Sequence, residues 1–199
     1  MNRFAVSLII GITLIFLNAQ VIGSTFQPEW NKQDSIKVLV VYYSATGNTE
    51  KMAEAVVAGA QKVHSVAAVL KTPDNVTADD LKKADVILIG SPTYYGNMAG
   101  PVKSFIDNWW LKYKVSLVDK VGGAFSTGGG ESGGKENVIY SLIIAMLNGG
   151  MIVAGPVEGI LGGTGVTALS PVNEDALKEA SALGERAANI ALTFKAVQR

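Results

Sequence analysis

Residues 36–49, IKVLVVYYSATGNT, combine a strand pattern, a polar turn and the start of a helix. The first part, Ile36–Tyr43, is rich in β-branched residues and predicts a buried strand. After Asn48 the apolar residues change to helical spacing, beginning with Met52, Ala53 and Val56. A strand, a turn rich in hydroxyl groups and a helix form a geometry that binds phosphate, because main-chain N–H groups at a helix N-terminus favour an anion.

The turn itself predicts a phosphate monoester held by neutral donors. It contains no Lys and has neither P-loop spacing nor a Gly-x-Gly-x-x-Gly pattern. Its single Gly permits close approach of a ligand to the backbone. The alternative is an ordinary N-cap, which needs only one of these polar residues. The candidate binding residues are Ser44, Ala45, Thr46, Gly47, Asn48 and Thr49.

The first residues of the chain resemble a targeting segment. Arg3 precedes an uncharged apolar run from Phe4 to Leu17, and a small, polar exit follows up to Ser24. This pattern predicts a secretory signal peptide over residues 1–23, and hence an exported protein, periplasmic or secreted. The alternative is a membrane anchor over residues 4–22. We then expect a linker over residues 24–35 and a single domain over residues 36–199.

Charge and composition exclude several classes of function. The chain has 17 Lys plus Arg and 17 Asp plus Glu, and loss of residues 1–23 would remove only Arg3, which leaves a net charge of −1. Nothing here predicts a nucleic-acid partner. There is no Cys for a disulfide or a thiolate nucleophile. The one His, His64, is expected to close a helix over 48–63 in a structural role, so we expect no metal site and no catalytic side chain.

Strands and helices alternate along the remaining sequence. The predicted strands cover residues 36–43, 66–71, 86–90, 121–126 and 151–155. The predicted helices cover residues 48–63, 77–83, 98–112, 134–147 and 174–196, the second of them capped by Thr77 with Asp80. This order predicts an α/β fold with a doubly wound, five-stranded parallel sheet of order 2-1-3-4-5. In such sheets ligands bind beyond the carboxyl ends of the strands.

Two further loops are expected on that edge of the sheet. The loop after the third strand has tyrosines that could flank a flat heterocycle, and the loop after the fourth strand is rich in glycine, which lets main-chain amides approach a ligand. The alternatives are an exposed aromatic pair and a flexible linker. The candidate residues of the first loop are Pro92, Thr93, Tyr94, Tyr95, Gly96 and Asn97, and those of the second are Ser126, Thr127, Gly128, Gly129, Gly130 and Glu131.

These motifs, in this order, resemble the flavodoxin superfamily. The turn Ser44–Thr49 is similar to its FMN phosphate loop. The segments Gly90–Met98 and Phe125–Glu136 resemble the second and third flavin loops of the WrbA-type NAD(P)H:quinone oxidoreductases, as do Gly149–Val153 and Gly162–Thr164. The resemblance covers about residues 36–170.

The resemblance implies a flavodoxin-like fold and FMN as cofactor. Thr46, Asn48 and Thr49 would then hold the phosphate, Tyr94 or Tyr95 would flank the isoalloxazine, and amides of the other two loops would bond its polar edge. It further implies two-electron transfer from NAD(P)H to a quinone, with no side chain acting as acid or base, and a homo-oligomer. The alternatives are a one-electron carrier, which the near-neutral charge disfavours, and a binding module without turnover.

The sequence departs from the branch at several points. Asn148-Gly149 stand where the branch has a His pair, and the stretch between Lys71 and Asp85 lacks an insertion tied to its tetramer. Trp109, Trp110 and Tyr113 lie near an expected flavin-side aromatic. Their alternative interpretation is a helix end packed on the core.

Overall fold

The computed structural model describes residues 36–156 and 163–197. The predicted signal peptide or anchor over residues 1–23, the predicted linker over 24–35 and Gly162 lie outside these residues. The strands are β1 (Ile36–Tyr42), β2 (Val66–Lys71), β3 (Val86–Tyr94), β4 (Asn97–Met98), β5 (Val121–Gly128), β6 (Ile152–Val153) and β7 (Val166–Leu169). The helices are α1 (Asn48–Ala60), α2 (Ala78–Lys83), α3 (Gly100–Asn108), α4 (Lys135–Asn148) and α5 (Glu174–Val197), with a 3-10 turn at Pro73–Asn75 and a π-helical turn at Trp109–Tyr113.

The sheet has the predicted order, with β2-β1-β3-β5-β6 as neighbours, all parallel. The predicted count of five strands is corrected to seven among the described residues. Two strands share the last position: β6 pairs with Val121 and Gly122, and β7 pairs with Phe125–Gly128. In addition, β3 continues to Tyr94 and turns back into β4. The core order is therefore that of the flavodoxin-like sheet, with a divided edge strand.

Alternation along the buried strands creates two cores. Val38, Val40 and Leu88 face one side, where they pack against α1 and α5. Leu39 and Ile87 face the other side, where they pack against α3 and α4. Successive strand residues point to opposite faces, so strands that are apolar at nearly every position need helices on both faces. This is the doubly wound arrangement that the sequence predicts.

Helices α1 and α5, on the first face of the sheet, contact each other closely at two glycines. A Cβ atom added to Gly59 of α1 would overlap the main chain of Ser181 in α5, and one added to Gly184 would overlap the carbonyl of Val56. Side chains larger than hydrogen have no room at either position. Close main-chain contact therefore fixes α1, and with it the turn that precedes α1.

Of two predicted helix ends, the structure confirms one and corrects the other. Thr77 caps α2 as predicted: its Oγ1 accepts from the Asp80 N–H at 3.1 Å, and its own N–H donates to Asp80 Oδ2 at 2.8 Å. The prediction that His64 closes the preceding helix is wrong, because α1 ends at Ala60 and His64 lies exposed in the following turn. Across residues 36–156 and 163–197, the helices are too short or too polar to span a bilayer.

Candidate functional site

The three predicted loops meet at the carboxyl ends of β1, β3 and β5. Register places Tyr42 beside Gly90 and Gly90 beside Phe125, so the strands end at the same edge. Side-chain hydrogen bonds join the loops: Thr49 Oγ1 lies 2.8 Å from Thr127 Oγ1, and Thr93 Oγ1 lies 3.1 Å from Ser126 Oγ. We call this edge the rim. Candidate residues from all three loops lie on it.

The turn after β1 leaves the N-terminus of α1 uncapped by side chains. Gly47 is the N-cap residue, with φ of 82°, and no side chain accepts from the first amides. A positive φ favours Gly. The alternative of an ordinary side-chain cap is therefore wrong for this helix. Asn48 instead supports the turn, since its Nδ2 donates to Thr46 Oγ1 at 3.1 Å and its Oδ1 accepts from Val172 N–H at 3.3 Å.

The same turn carries a buried hydroxyl without a partner. Ser44 Oγ is fully buried and makes no hydrogen bond; among the described residues only Trp109 Nε1 shares that condition. A buried polar atom left unpaired costs roughly 1–3 kcal/mol. A phosphate at the uncapped helix N-terminus would offer acceptor oxygens to this hydroxyl. The turn therefore fits the phosphate end of FMN.

The aromatic loop is a tight hairpin. Thr93 pairs with Met98 and Tyr94 with Asn97, so Tyr95 and Gly96 form a two-residue turn, both with positive φ. Tyr94 is 43% exposed and Tyr95 is fully exposed. Pro92 lies at the end of the parallel pairing, opposite Thr127. Both tyrosine rings are thus presented to solvent at the rim, where a planar ligand would meet them.

The glycine-rich loop begins three residues later than predicted, at Gly129 instead of Ser126. Ser126, Thr127 and Gly128 belong to β5, between β3 and β7, and are buried. Their main-chain groups are therefore used in pairing with the neighbouring strands. Gly129, Gly130 and Glu131 follow it and are exposed. Of the predicted residues, only Gly129, Gly130 and Glu131 therefore have main-chain amides outside the sheet.

Lys135 is a residue of the site that the sequence analysis missed. It is only 5% exposed, and its Nζ donates to the carbonyls of Gly130 at 3.0 Å and Glu131 at 2.8 Å. A Cβ added to Gly128 would lie 2.8 Å from Lys135 Cγ, so the lysine stem lies against the end of β5. The signal was available, because Lys135 falls on the buried stripe with Val138, Ile139 and Leu142, at helical spacing.

The third loop also touches the hairpin. A Cβ added to Gly134 would lie 2.9 Å from Gly96 Cα, and Gly134 has φ of 88°. Close contact and backbone conformation both require Gly there. With Lys135 holding the opposite side of the loop, the third loop is fixed at both ends. The rim is therefore preorganised on the side that would meet a flavin.

A tyrosine–glutamate pair lies beside the phosphate turn. Tyr42 OH donates to Glu50 Oε1 at 2.7 Å. This hydrogen bond, together with burial and the negative charges of Glu50 and Glu54, raises the pKa of Tyr42 to about 12. The pair links the end of β1 to the first turn of α1.

The aromatic residues at the end of α3 are structural. The rings of Phe105 and Trp109 meet edge to face, 5.8 Å apart, and Tyr113 OH donates to the carbonyl of Val76 at 3.1 Å. Trp110 is 83% exposed. The π-helical turn leads to the start of β5, at the amino ends of the strands. The interpretation as a helix end packed on the core is thus supported for Trp109 and Tyr113.

Comparison with known proteins agrees with this geometry. A family model described as NADPH-dependent FMN reductase matches residues 70–164. A NAD(P)H dehydrogenase (quinone) of Geotalea daltonii is 36% identical in an alignment 145 residues long, which covers 60% of this chain and 71% of that protein. The chain belongs to this NAD(P)H dehydrogenase (quinone) family.

Solved structures similar to this family member have the same architecture. A WrbA-like flavodoxin of Agrobacterium tumefaciens is 30% identical, with a TM-score of 0.63 over 79% of this chain and 98% of that chain. An archaeal flavodoxin is also 30% identical, with a TM-score of 0.67 over 78% of this chain and 99% of that chain. The resemblance to the flavodoxin superfamily and its WrbA-type branch is thereby confirmed.

Proposed function

We propose that this protein is an FMN-dependent oxidoreductase that reduces a quinone with NAD(P)H. The net reaction takes NAD(P)H, a proton and a quinone to NAD(P)⁺ and a quinol, so two electrons move and the charges balance. FMN, when bound, supplies the two-electron redox chemistry. Family membership supports this function, and so does the chemistry of the rim.

One observation carries the proposal: the unpartnered Ser44 hydroxyl lies in the turn whose helix N-terminus is uncapped. The Tyr94–Tyr95 hairpin and the Gly129–Glu131 loop lie on the same rim. We infer that Ser44, Thr46 and the amides of Asn48 and Thr49 hold the phosphate. The tyrosines would lie against the ring system, and the third loop would face its polar edge.

The remaining residues position the cofactor and exclude water. Thr49, Thr93 and Lys135 fix the loops by hydrogen bonds. No side chain is required as a general acid or base, because the quinol oxygens can take protons from solvent. The chain thus contributes binding and orientation to the reaction.

The experiment is an absorption spectrum of the purified protein with and without added FMN, followed by NADH- and NADPH-dependent reduction of menadione. We expect stoichiometric FMN binding and turnover that depends on it. FMN binding without turnover would leave a one-electron carrier. No binding at millimolar FMN would refute the assignment of the site.

We also propose the fate of the N-terminal segment and the assembly state. Residues 1–23 would direct export to the periplasm or outside the cell, or residues 4–22 would tether a domain that begins near residue 36. N-terminal sequencing of the protein from its native source distinguishes cleavage after residue 23 from retention. Sedimentation equilibrium tests the proposed homo-oligomer, which a strictly monomeric protein would contradict.

A further inference from the structure

An exposed apolar surface lies at the π-helical turn, away from the rim. Trp110 is 83% exposed and Leu111 is 68% exposed. Their neighbours hold the turn in place, since Trp109 packs against Phe105 and Tyr113 bonds to the carbonyl of Val76. Large apolar side chains are thus held outward by an anchored backbone.

This surface extends beyond the turn. Trp110 lines a shallow groove together with Val118 and Ile144, which are 59% and 58% exposed. We call Trp110, Leu111, Val118 and Ile144 the tip. Contiguous exposed apolar surface of this kind marks an interaction site more often than isolated apolar residues do.

Two lysines outside any ion pair of the described residues flank the tip. Lys112 and Lys114 are exposed beside Leu111, and neither forms an ion pair in the described part of the chain. Lys103 is paired with Asp107 at 2.6 Å. The other acids near the tip are Asp119, which follows Val118, and Asp74 and Asp80, whose charges act on Tyr113. Trp and Leu flanked by free lysines are the residues that enter the boundary between lipid headgroups and acyl chains, where the lysines meet anionic phosphates.

The tip and Ile36, the first described residue, lie at the same edge of the sheet. The turn continues through Leu117 and Lys120 to Val121, the first residue of β5. Ile36, the first residue of β1, lies at the same amino edge of the parallel sheet. The chain before Ile36 therefore enters there, and it includes the uncharged apolar run from Phe4 to Leu17. Twelve linker residues reach at most about 40 Å.

We propose that the tip docks on an anionic lipid surface. Trp110 and Leu111 enter the interface, while Lys112 and Lys114 contact lipid phosphates. This docking orients the domain with its amino edge toward the bilayer and its rim toward solvent. The inference does not depend on the proposed redox function, since it involves none of the rim residues.

The absence of Cys allows a site-specific test on the full chain. An environment-sensitive nitrobenzoxadiazole label is attached to L111C, and in a matched control to E54C, which lies exposed on α1. Vesicles of phosphatidylcholine with and without phosphatidylglycerol are added. We expect a several-fold rise and a blue shift in emission for L111C on phosphatidylglycerol vesicles, little change for E54C, and a marked loss of the L111C response with K112Q/K114Q.

Two results would overturn the docking surface. One is an unchanged L111C spectrum while co-sedimentation shows the protein on the vesicles, because the N-terminal segment would then bind alone. The other is a blue shift without lipid that grows with protein concentration, because a second copy of the chain would then cover the tip. Circular dichroism of each labelled variant verifies that it is folded.

Discussion

The hydroxyls of Thr49 and Thr127 lie 2.8 Å apart in a buried position, although 78 residues separate them in the chain. The bond joins the first turn of α1 to the end of β5. It therefore ties the phosphate turn to the strand from which the third loop departs. The relative position of the phosphate turn and the third loop therefore depends on this hydrogen bond.

Removing both of these hydroxyls should destabilise the protein by less than the sum of the two single removals. T49V or T127V leaves the other hydroxyl buried and unpaired, so we expect each to lower the free energy of unfolding by about 1–3 kcal/mol. In T49V/T127V no unpaired hydroxyl remains, and the loss should be clearly smaller than the sum. Urea unfolding of the four proteins measures the coupling. Strict additivity would show that the two hydroxyls do not interact.

Ser44 should affect FMN binding without stabilising the free protein. Its Oγ has no partner, so S44A should raise the unfolding free energy of the FMN-free protein, by up to about 1–3 kcal/mol. FMN affinity should fall about tenfold, which corresponds to one lost hydrogen bond to a charged group. Fluorescence titration measures the affinity. Unchanged FMN affinity in S44A would remove Ser44 from the phosphate site.

Lys135 should be needed for both stability and cofactor binding. K135M removes a charged donor from two carbonyls, and we expect a loss of about 1.5–3 kcal/mol together with weaker FMN binding. The matched control is K103M, which breaks an exposed pair with Asp107 and should cost only about 0.3–0.5 kcal/mol. Thermal unfolding and FMN titration test both variants. Equal effects of K135M and K103M would argue against a fixed third loop.

The contact between α1 and α5 should not accept a methyl group. In G184A the new Cβ would overlap the carbonyl of Val56, so we expect a loss of about 1–3 kcal/mol or more. G129A is the control: Gly129 is exposed after β5, with open space around it and no left-handed φ, and this change should stabilise the protein by about 0.4–1 kcal/mol. Denaturant unfolding compares them. A neutral G184A would mean that the two helices can move apart freely.

Tyr42 should make stability pH-dependent in the alkaline range. Its pKa rises to about 12 in the native protein, against about 10 in the unfolded chain. The native state holds the proton more tightly, so this contribution is complete below pH 10 and is lost as the pH rises from 10 to 12. Y42F should lack it. The difference in phenolate absorbance between the wild-type protein and Y42F should appear near pH 12, and a difference that appears near pH 10 would contradict the bond to Glu50.

Much of the fold could be predicted because local signals agreed. β2 and α2 have strong local patterns, with a capping box at Thr77 and Asp80. β7 was missed because Val166–Leu169 is short and takes its place only by pairing with β5. The end of α1 was placed three residues too late because Val63 continues the apolar spacing. Pairing partners and exact helix ends depend on tertiary contacts that the sequence does not display.

The candidate site was predictable in its location and less so in its detail. Strand order places the three loops on one rim, and the structure brings them there. The bond from Asn48 to Val172 could not be foreseen. For Lys135, helical spacing signals burial but does not show which carbonyls its Nζ bonds. Both bonds join segments through side chains whose partners are set by the fold, and a lysine at a helix start is usually solvated.

The divided edge strand allows the length of the chain between β6 and β7 to vary. Strand β6 ends at Val153 and β7 begins at Val166, and each strand has its own pairing with β5. Additions or deletions between these anchors would alter neither register. An evolving or engineered variant could therefore replace the segment between β6 and β7 without changing the sheet. It could gain a new binding partner in this way while the cofactor site stays the same.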